Sequence, residues 1–257
     1  MRKAVVDAAR FIAGHCGERI TLCDVADHVG YSPFHLSRAF ERQLGRPPGQ
    51  FIATHRFHQA KRLLLASDER VIDICHAVGF TSVGTFTARF TSAVGQSPAR
   101  FRRLPELLAD SPPRPIMVPG AAREGGMVTG SVRLSAAASA AVGEAAVYVG
   151  LFPRRAARGY PVSGTLLGQT GDFLLADVPA GRYWLLAAAL PAKACAETQL
   201  VPTRTVAGAA AEPVCVSPRA PLHHRDVQLD VLAEWDTPVL VALPPLASRL
   251  TVAERSA

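Results

Sequence analysis

LCDVADHVGYSPFHLSRAFERQLGRPPGQF, Leu22 to Phe51, and VIDICHAVGFTSVGTFTARFTSAVGQSPARF, Val71 to Phe101, are two copies of one pattern. Each opens with a short apolar helical stripe, turns at Val-Gly-aromatic-Ser/Thr, and closes with a second stripe ending in glycine. A short helix, a glycine turn and a second helix make a helix-turn-helix. Two in tandem allow one chain to read two successive major-groove segments of DNA. Positions are offset by 49 residues up to the glycine and by 50 after it, so the second copy carries one extra residue in its turn or early second helix.

The flanks fit this reading. Val5, Ala8, Ala9 and Ile12 recur at helical spacing and predict a leading helix. Thr21 and Asp24 form a predicted capping box ahead of Leu22, Val25, Ala26 and Val29. Ser32 is a good N-cap with Pro33 at the first helical position; Leu36, Phe40 and Leu44 then face inward. Ile74, Cys75, Val78, Phe86, Phe90 and Val94 repeat the arrangement. Between the copies, Ala53, Phe57, Ala60 and Leu64 predict a connecting helix from the Pro47-Pro48 break to Ala66. Such a helix is a strut that sets the distance between the two reading heads. Another short helix is expected from Ser97-Pro98 to Arg102-Arg103.

Charge is divided unevenly. Residues 1–105 hold 15 Lys+Arg against 8 Asp+Glu, a net of +7, and residues 106–257 hold 13 of each. The whole excess lies where a phosphate-binding surface needs it. The 25 arginines against 3 lysines suit planar recognition of phosphate and guanine edges. Five cysteines lack metal or disulfide spacing, and Cys23 and Cys75 are expected as small buried hydrophobes. The histidines His15, His28, His55, His58 and His76 are expected at the surface or at helix caps. No metal site and no cofactor is expected. The start of the chain lacks the pattern of a signal peptide and the longest apolar run, Tyr183 to Leu190, is too short for a bilayer, so a cytoplasmic location is expected.

Residues 1–104 resemble the AraC-type DNA-binding domain of bacterial arabinose-regulator-like transcription factors. The resemblance rests on Leu22-x-x-Val25-Ala26-x-x-Val29-Gly30-Tyr31-Ser32-Pro33, Leu36-Ser37-Arg38-x-Phe40, Ala60-Lys61-x-Leu63-Leu64, Ile74-x-x-x-Val78-Gly79-Phe80, Phe86-Thr87-x-x-Phe90 and Gly95-Gln96-Ser97-Pro98-x-x-Phe101-Arg102. It implies two recognition helices, at 33–44 and 83–94, in adjacent major grooves of double-stranded DNA. By that resemblance Phe34, His35 and Arg38 point at base edges, with Arg42 nearer the backbone; helix arithmetic also leaves these positions outside the apolar stripe. Phe34 suits a thymine methyl. The second copy departs from the family pattern: Ala88 stands where many members have Arg, and Arg89 follows it, rotated by about 100°. Ser82 and Thr85 are its candidate base readers, with Arg89 on phosphate. Ser32, Arg46 and Arg62 complete the expected phosphate set. The resemblance further implies activation through bacterial RNA polymerase.

Residues 106–126, rich in Pro and Gly, read as a linker. Beyond them the hydrophobic period becomes 2. Strands are predicted at Met127–Leu134, Ala145–Phe152, Gly164–Gln169, Asp172–Val178, Arg182–Leu190, Pro213–Val216 and Asp226–Leu232, with turns at Thr170-Gly171-Asp172 and Pro179-Ala180-Gly181. Gly130-x-Val132, Gly143-x-Ala145-x-Val147-x-Val149, Gly171-Asp172-Phe173 and Val178-Pro179-Ala180-Gly181-x-Tyr183 resemble a carboxypeptidase-regulatory or transthyretin-like sandwich. The expected architecture is an all-α tandem helix-turn-helix domain, 1–105, followed by an all-β sandwich, 127–257, that takes an unknown small-molecule effector or a partner. The expected function is a sequence-specific, non-enzymatic transcriptional regulator. Two rivals stand beside it. One is a ligand-independent regulator with a protein-interaction sandwich. The other is a DNA-targeted enzyme, for which His223-His224-Arg225-Asp226 and the pair Cys195 and Cys215 are the only suggestive chemistry.

Overall fold

The computed structural model describes residues 2–18, 20–110, 116–118, 120–121, 125–217, 222–233 and 235–246. The chain divides into two compact units, one of Met1–Thr91, Ser97–Phe101 and Leu232–Leu240, the other of Ser92–Gln96, Arg102–Val231 and Val241–Ala257.

The helical unit is built from α1 (Arg2–His15), α2 (Leu22–His28), α3 (Pro33–Leu44), α4 (Pro48–Ala66), α5 (Val71–Ala77), α6 (Val83–Val94) and α7 (Pro98–Arg102), the last residues of α6 and α7 belonging to the second unit. Each expected helix is present. Thr21 caps α2 by the reciprocal box with Asp24. The second copy has no such cap; there Arg70 pairs with Asp73 at 2.8 Å across the first turn of α5. Gly30 and Gly79 sit at φ +70° and +81°, the left-handed backbone that each turn requires. The extra residue of the second copy lies in the turn, since two residues separate Gly30 from α3 and three separate Gly79 from α6.

Each head has its own core. In the first, Ile12, Val25, Leu36, Phe40 and Phe51 are almost fully excluded from solvent, and Phe40 meets Phe51 edge-on at 5.1 Å. In the second, Phe57 stacks on Phe80 at 5.1 Å, and Phe90 meets Phe101 at 5.9 Å. Burying one such ring contributes about 1.5–3 kcal/mol. The connecting helix α4 therefore feeds aromatic side chains into both cores, which makes it the shared spine of the two heads.

Two expectations about this unit fail. Cys23 is exposed, because the inward stripe of α2 runs through Val25 and Ala26 and leaves it on the outer face. His55 is buried, tilted against Phe51 at 4.6 Å, and His58 is half-buried. Both fall on faces of α4 that the two cores cover.

In the strand-rich unit, α8 (Leu104–Asp110) and β1 (Ile116–Val118) lead into β2 (Gly126–Leu134), α9 (Ala136–Val142), β3 (Ala145–Phe152), β4 (Gly164–Leu167), β5 (Gly171–Val178), β6 (Gly181–Pro191), α10 (Ala196–Leu200), β7 (Val206–Ala209), β8 (Val214–Val216), β9 (Leu222–His224), β10 (Val227–Val231) and α11 (Leu243–Leu246). All seven predicted strands are there, with ends shifted by a few residues. The stretch read as a linker contains regular structure: α8 buries Leu104 and Leu108, and β1 pairs antiparallel with β4. Pro105 at the first turn of α8 is compatible with a helix start.

The strands run in the order β1-β4-β3-β6-β7-β10-β2-β5, with β8 on β6 and β9 on β2. The sheet curls until β4 and β5 approach each other, where the Ser163 hydroxyl donates to the carbonyl of Ala176. Val128, Val147, Leu151, Leu175, Leu185 and Leu229 fill the curl. Alternation is clean in β10, whose Val227 and Leu229 are buried while Gln228 and Asp230 are exposed.

Candidate nucleic-acid interface

In the first head, Ser32 fixes the start of the recognition helix. Its hydroxyl accepts from the backbone N–H of His35 at 3.4 Å and lies 2.9 Å from His35 Nδ1. This holds the imidazole at the N-terminal end of α3, the end that meets base edges in helix-turn-helix proteins. Phe34 is 65% exposed, an unusual state for an apolar ring, with His35 edge-on at 5.9 Å and the Arg38 guanidinium over its face at 5.4 Å. Leu36, Ala39 and Phe40 point into the core. Thus the structure brings Phe34, His35 and Arg38 together on one exposed face, and Arg42 follows them one turn later, also exposed. An aromatic face, an imidazole and a planar guanidinium can supply a methyl contact, a hydrogen bond and a bidentate guanine contact.

Arg46 differs from its expected neighbours. It follows the left-handed Gly45 that ends α3 and is half-buried, with Nε shielded from solvent. Burial, reinforced by the Arg46 charge, pulls the His55 imidazole down to about 4. Arg62 is exposed on α4.

In the second head Ser82 plays the part of Ser32, its hydroxyl accepting from Thr85 N–H at 3.3 Å. Ser82, Thr85, Ala88 and Arg89 are exposed, and the Arg89 guanidinium lies 5.7 Å from the Phe80 ring centroid. This face is short and polar, and its cation leans back toward the turn. It lacks the exposed aromatic ring that the first head carries on its recognition helix.

Arg56 matters to this surface and carries no signal in the sequence. Its Nε donates to Cys16 O at 3.0 Å, one terminal nitrogen to Gly79 O at 3.2 Å, and the other to Glu18 O at 2.8 Å. One side chain on α4 therefore ties the end of α1 to the turn of the second head. These carbonyls come from distant parts of the chain, so no periodicity announces them.

The His224 Nε2 lies 3.2 Å from Asp226 Oδ1, but that same oxygen accepts from both the N–H and the hydroxyl of Ser131 at 2.8 and 2.9 Å. Those two donors hold the carboxyl below its ordinary range, and the cluster ties β2 to the bend between β9 and β10. The hydroxyl of Thr129, 3.4 Å from His224 Nδ1, is within reach of the His223 carbonyl at 3.3 Å. Cys195 and Cys215 are exposed free thiols, with Cys195 beside the Thr198 hydroxyl at 3.2 Å. Among the described residues, no three His, Cys, Asp or Glu side chains converge as metal ligands, and no helix is long and apolar enough to cross a membrane.

Residues 25–104 match a family model described as "Helix-turn-helix domain". The chain is 36% identical over 92 residues to the HTH-type transcriptional activator AarP of Providencia stuartii, covering 36% of this chain and 68% of that protein. It is 33% identical over 90 residues to the bifunctional transcriptional activator/DNA repair enzyme AdaA of Bacillus subtilis (strain 168), covering 35% of this chain and 43% of that one. Among solved structures it is similar to the DNA-binding domain of AdpA, a global transcriptional factor, in complex with a target DNA. That likeness has 27% identity, 41% coverage of this chain, 94% of that chain and a TM-score of 0.38. This chain thus spans about two thirds of AarP and less than half of AdaA. A match of that extent to a transcriptional activator, joined to two helix-turn-helix units in tandem, makes this chain a member of the AraC-type family of DNA-binding transcriptional regulators.

Proposed function

We propose that the two heads bind successive major-groove segments on one face of duplex DNA, with unequal roles. The first head reads bases through Phe34, His35 and Arg38, and the second reads weakly through Ser82 and Thr85 and serves mainly affinity. Ser32, Arg42, Arg62 and Arg89 contact phosphates. Arg46 contributes through its charge more than through a direct contact, since its Nε is shielded. The observation that carries this reading is the exposed Phe34 ring beneath Arg38 at the start of α3. Its position at the start of the recognition helix, where base edges are met, gives that exposed ring a thymine methyl as a fitting partner.

The regulated step is activation of transcription by recruiting bacterial RNA polymerase in the cytoplasm; the similarity to AarP, a transcriptional activator, supports the activating role. Residues 1–105 form the DNA-binding domain, 106–126 the connection, and 127–257 a module for an effector or partner, without catalysis. Support for that last point is the Asp226 carboxylate, whose Oδ1 is shared between two Ser131 donors and His224 on the exposed bend that ties β2 to β10. The repair activity in the name of AdaA is a property of that protein.

Selection of bound duplexes from a random pool, followed by footprinting, tests the reading. Protection should span about two helical turns of an asymmetric site, with reading heads ~10 base pairs apart. Arg38→Ala should cost about 1–3 kcal/mol and relax preference at one position, whereas Arg62→Ala should weaken all sequences alike. Equal losses for Arg38→Ala on selected and random DNA would sink the base-reading role.

A further inference from the structure

The residues Leu232–Leu240 follow β10 directly but belong to the helical unit. Three contacts place them. Trp235 packs against the core of the first head, with the Arg10 guanidinium 4.1 Å from its ring centroid. A turn closed by Asp236, whose carboxylate accepts from Ala233 N–H at 2.8 Å, sets up the stretch that follows. Lys61, on α4, then donates to Leu240 O at 3.1 Å and Val239 O at 3.5 Å. Lys61 is only 1% exposed and also lies over the Phe101 ring of the second head at 5.5 Å.

The chemistry of these contacts is that of a releasable joint. Burial pulls the Lys61 amine down to about 7, and both of its hydrogen-bond acceptors among the described residues are carbonyls of this segment. With the segment in place the amine is satisfied by protein; with it lifted, the amine meets water. The other anchor is a cation–π contact at a partly exposed site, weak beside the burial of a core side chain. The segment touches the first head through Trp235 and the connecting helix α4 through Lys61, whose ammonium also lies over Phe101 of the second head, so its position bears on the joint between the heads.

We propose that Leu232–Leu240 is an intramolecular strap that holds the two reading heads at their DNA-binding spacing, and that lifting it is the step by which DNA binding is lowered. This rests on DNA binding by the helical unit as proposed above. Linkage is reciprocal: if a docked strap favours DNA, DNA must favour a docked strap.

The test is hydrogen exchange of the full chain, free and saturated with a selected duplex of ~30 base pairs, about three turns. Amides of the strap should exchange about tenfold more slowly with DNA bound, within the usual range of coupling between sites. Trp235→Ala should speed strap exchange in the free protein and weaken binding of the same duplex by about tenfold. The milder Arg10→Gln, on an exposed side chain, should do both to a smaller degree and covers the case in which Trp235→Ala fails to fold. Unchanged strap exchange on saturation with DNA overturns the proposal. So does unaltered affinity in either folded variant whose strap exchanges faster. A footprint of a single turn would instead refute reading by two heads, an outcome separate from both.

Discussion

Replacing Arg56 with Met tests whether one half-buried tie organises both heads. The perturbation keeps the aliphatic stem and removes three donors aimed at Cys16 O, Glu18 O and Gly79 O. Two of these bonds are partly buried and the one to Glu18 is exposed. A hydrogen bond from a charged donor is worth about 1.5–3 kcal/mol. Counting the two shielded bonds at the low end, and the exposed one as negligible because water replaces it, the expected loss is about 3 kcal/mol. With a urea slope of about 2 kcal/mol/M, the midpoint of the helical transition should fall by about 1.5 M. Arg56→Lys should recover little, because an ammonium cannot reach three separated carbonyls in a plane. Far-UV circular dichroism through a urea titration reads the helical transition, and footprinting of the folded variant reads the second effect. Protection over the first head should persist while protection over the second weakens, since Gly79 begins the second turn. A midpoint within about 0.3 M of the unaltered chain, less than 1 kcal/mol at that slope, would refute the reasoning.

Other outcomes follow from single residues. Gly30→Ala should cost about 1–2 kcal/mol, the penalty of a left-handed conformation, because nothing stands within 4 Å of the added methyl. Gly79→Ala should cost clearly more in the same denaturation assay, since its methyl would meet the Arg56 guanidinium at 2.9 Å; equal costs would count against the tie. His55 should make the helical unit acid-labile. Its folded value near 4 lies below the ordinary 6.5, so between these the unfolded chain binds a proton that the folded chain does not, and stability falls as pH drops through that window. The loss from this one group is about 2 kcal/mol by pH 5. Midpoints measured from pH 7 to 5 should show it, and His55→Asn should reduce the slope without abolishing it, because burial also pulls His58 down, to about 3. Ser32→Ala should lose about 1 kcal/mol of stability, weaken all duplexes through its lost phosphate contact, and by releasing His35 weaken selected duplexes further; no excess loss on selected duplexes would remove His35 from the base-reading set.

How much could be read from the chain alone depends on the range over which each signal acts. The two heads were legible because helix stripes, the Thr21–Asp24 box, the Ser32 cap and the left-handed glycines are all determined within a few residues. Periodicity also separates outside from inside, which is why Phe34, His35 and Arg38 could be placed on one face of α3 before any fold was known. The seven predicted strands were marked equally locally, by apolar runs, alternation or flanking turn residues. The short strands β7 and β9 were not, since their mostly small or polar residues, Val206–Ala209 and Leu222–His224, give no such signal and their partners lie far off, on β6, β10 and β2. The same holds for α8 and β1 inside the Pro-rich stretch.

What only the tertiary structure decided are contacts between distant segments. A histidine on a helix is surface or core according to what covers it, and His55 is covered by residues brought to it by the fold. Cys23 went the other way, because a seven-residue helix has one buried stripe and the chain must choose which residues face in. Arg56 finds carbonyls 40, 38 and 23 residues away, and Lys61 finds two at 178 and 179. Backbone carbonyls are the same at every residue, so no sequence pattern can mark which of them a buried cation will meet. Side-chain identity determined the elements and their faces; chain geometry determined the joints between them.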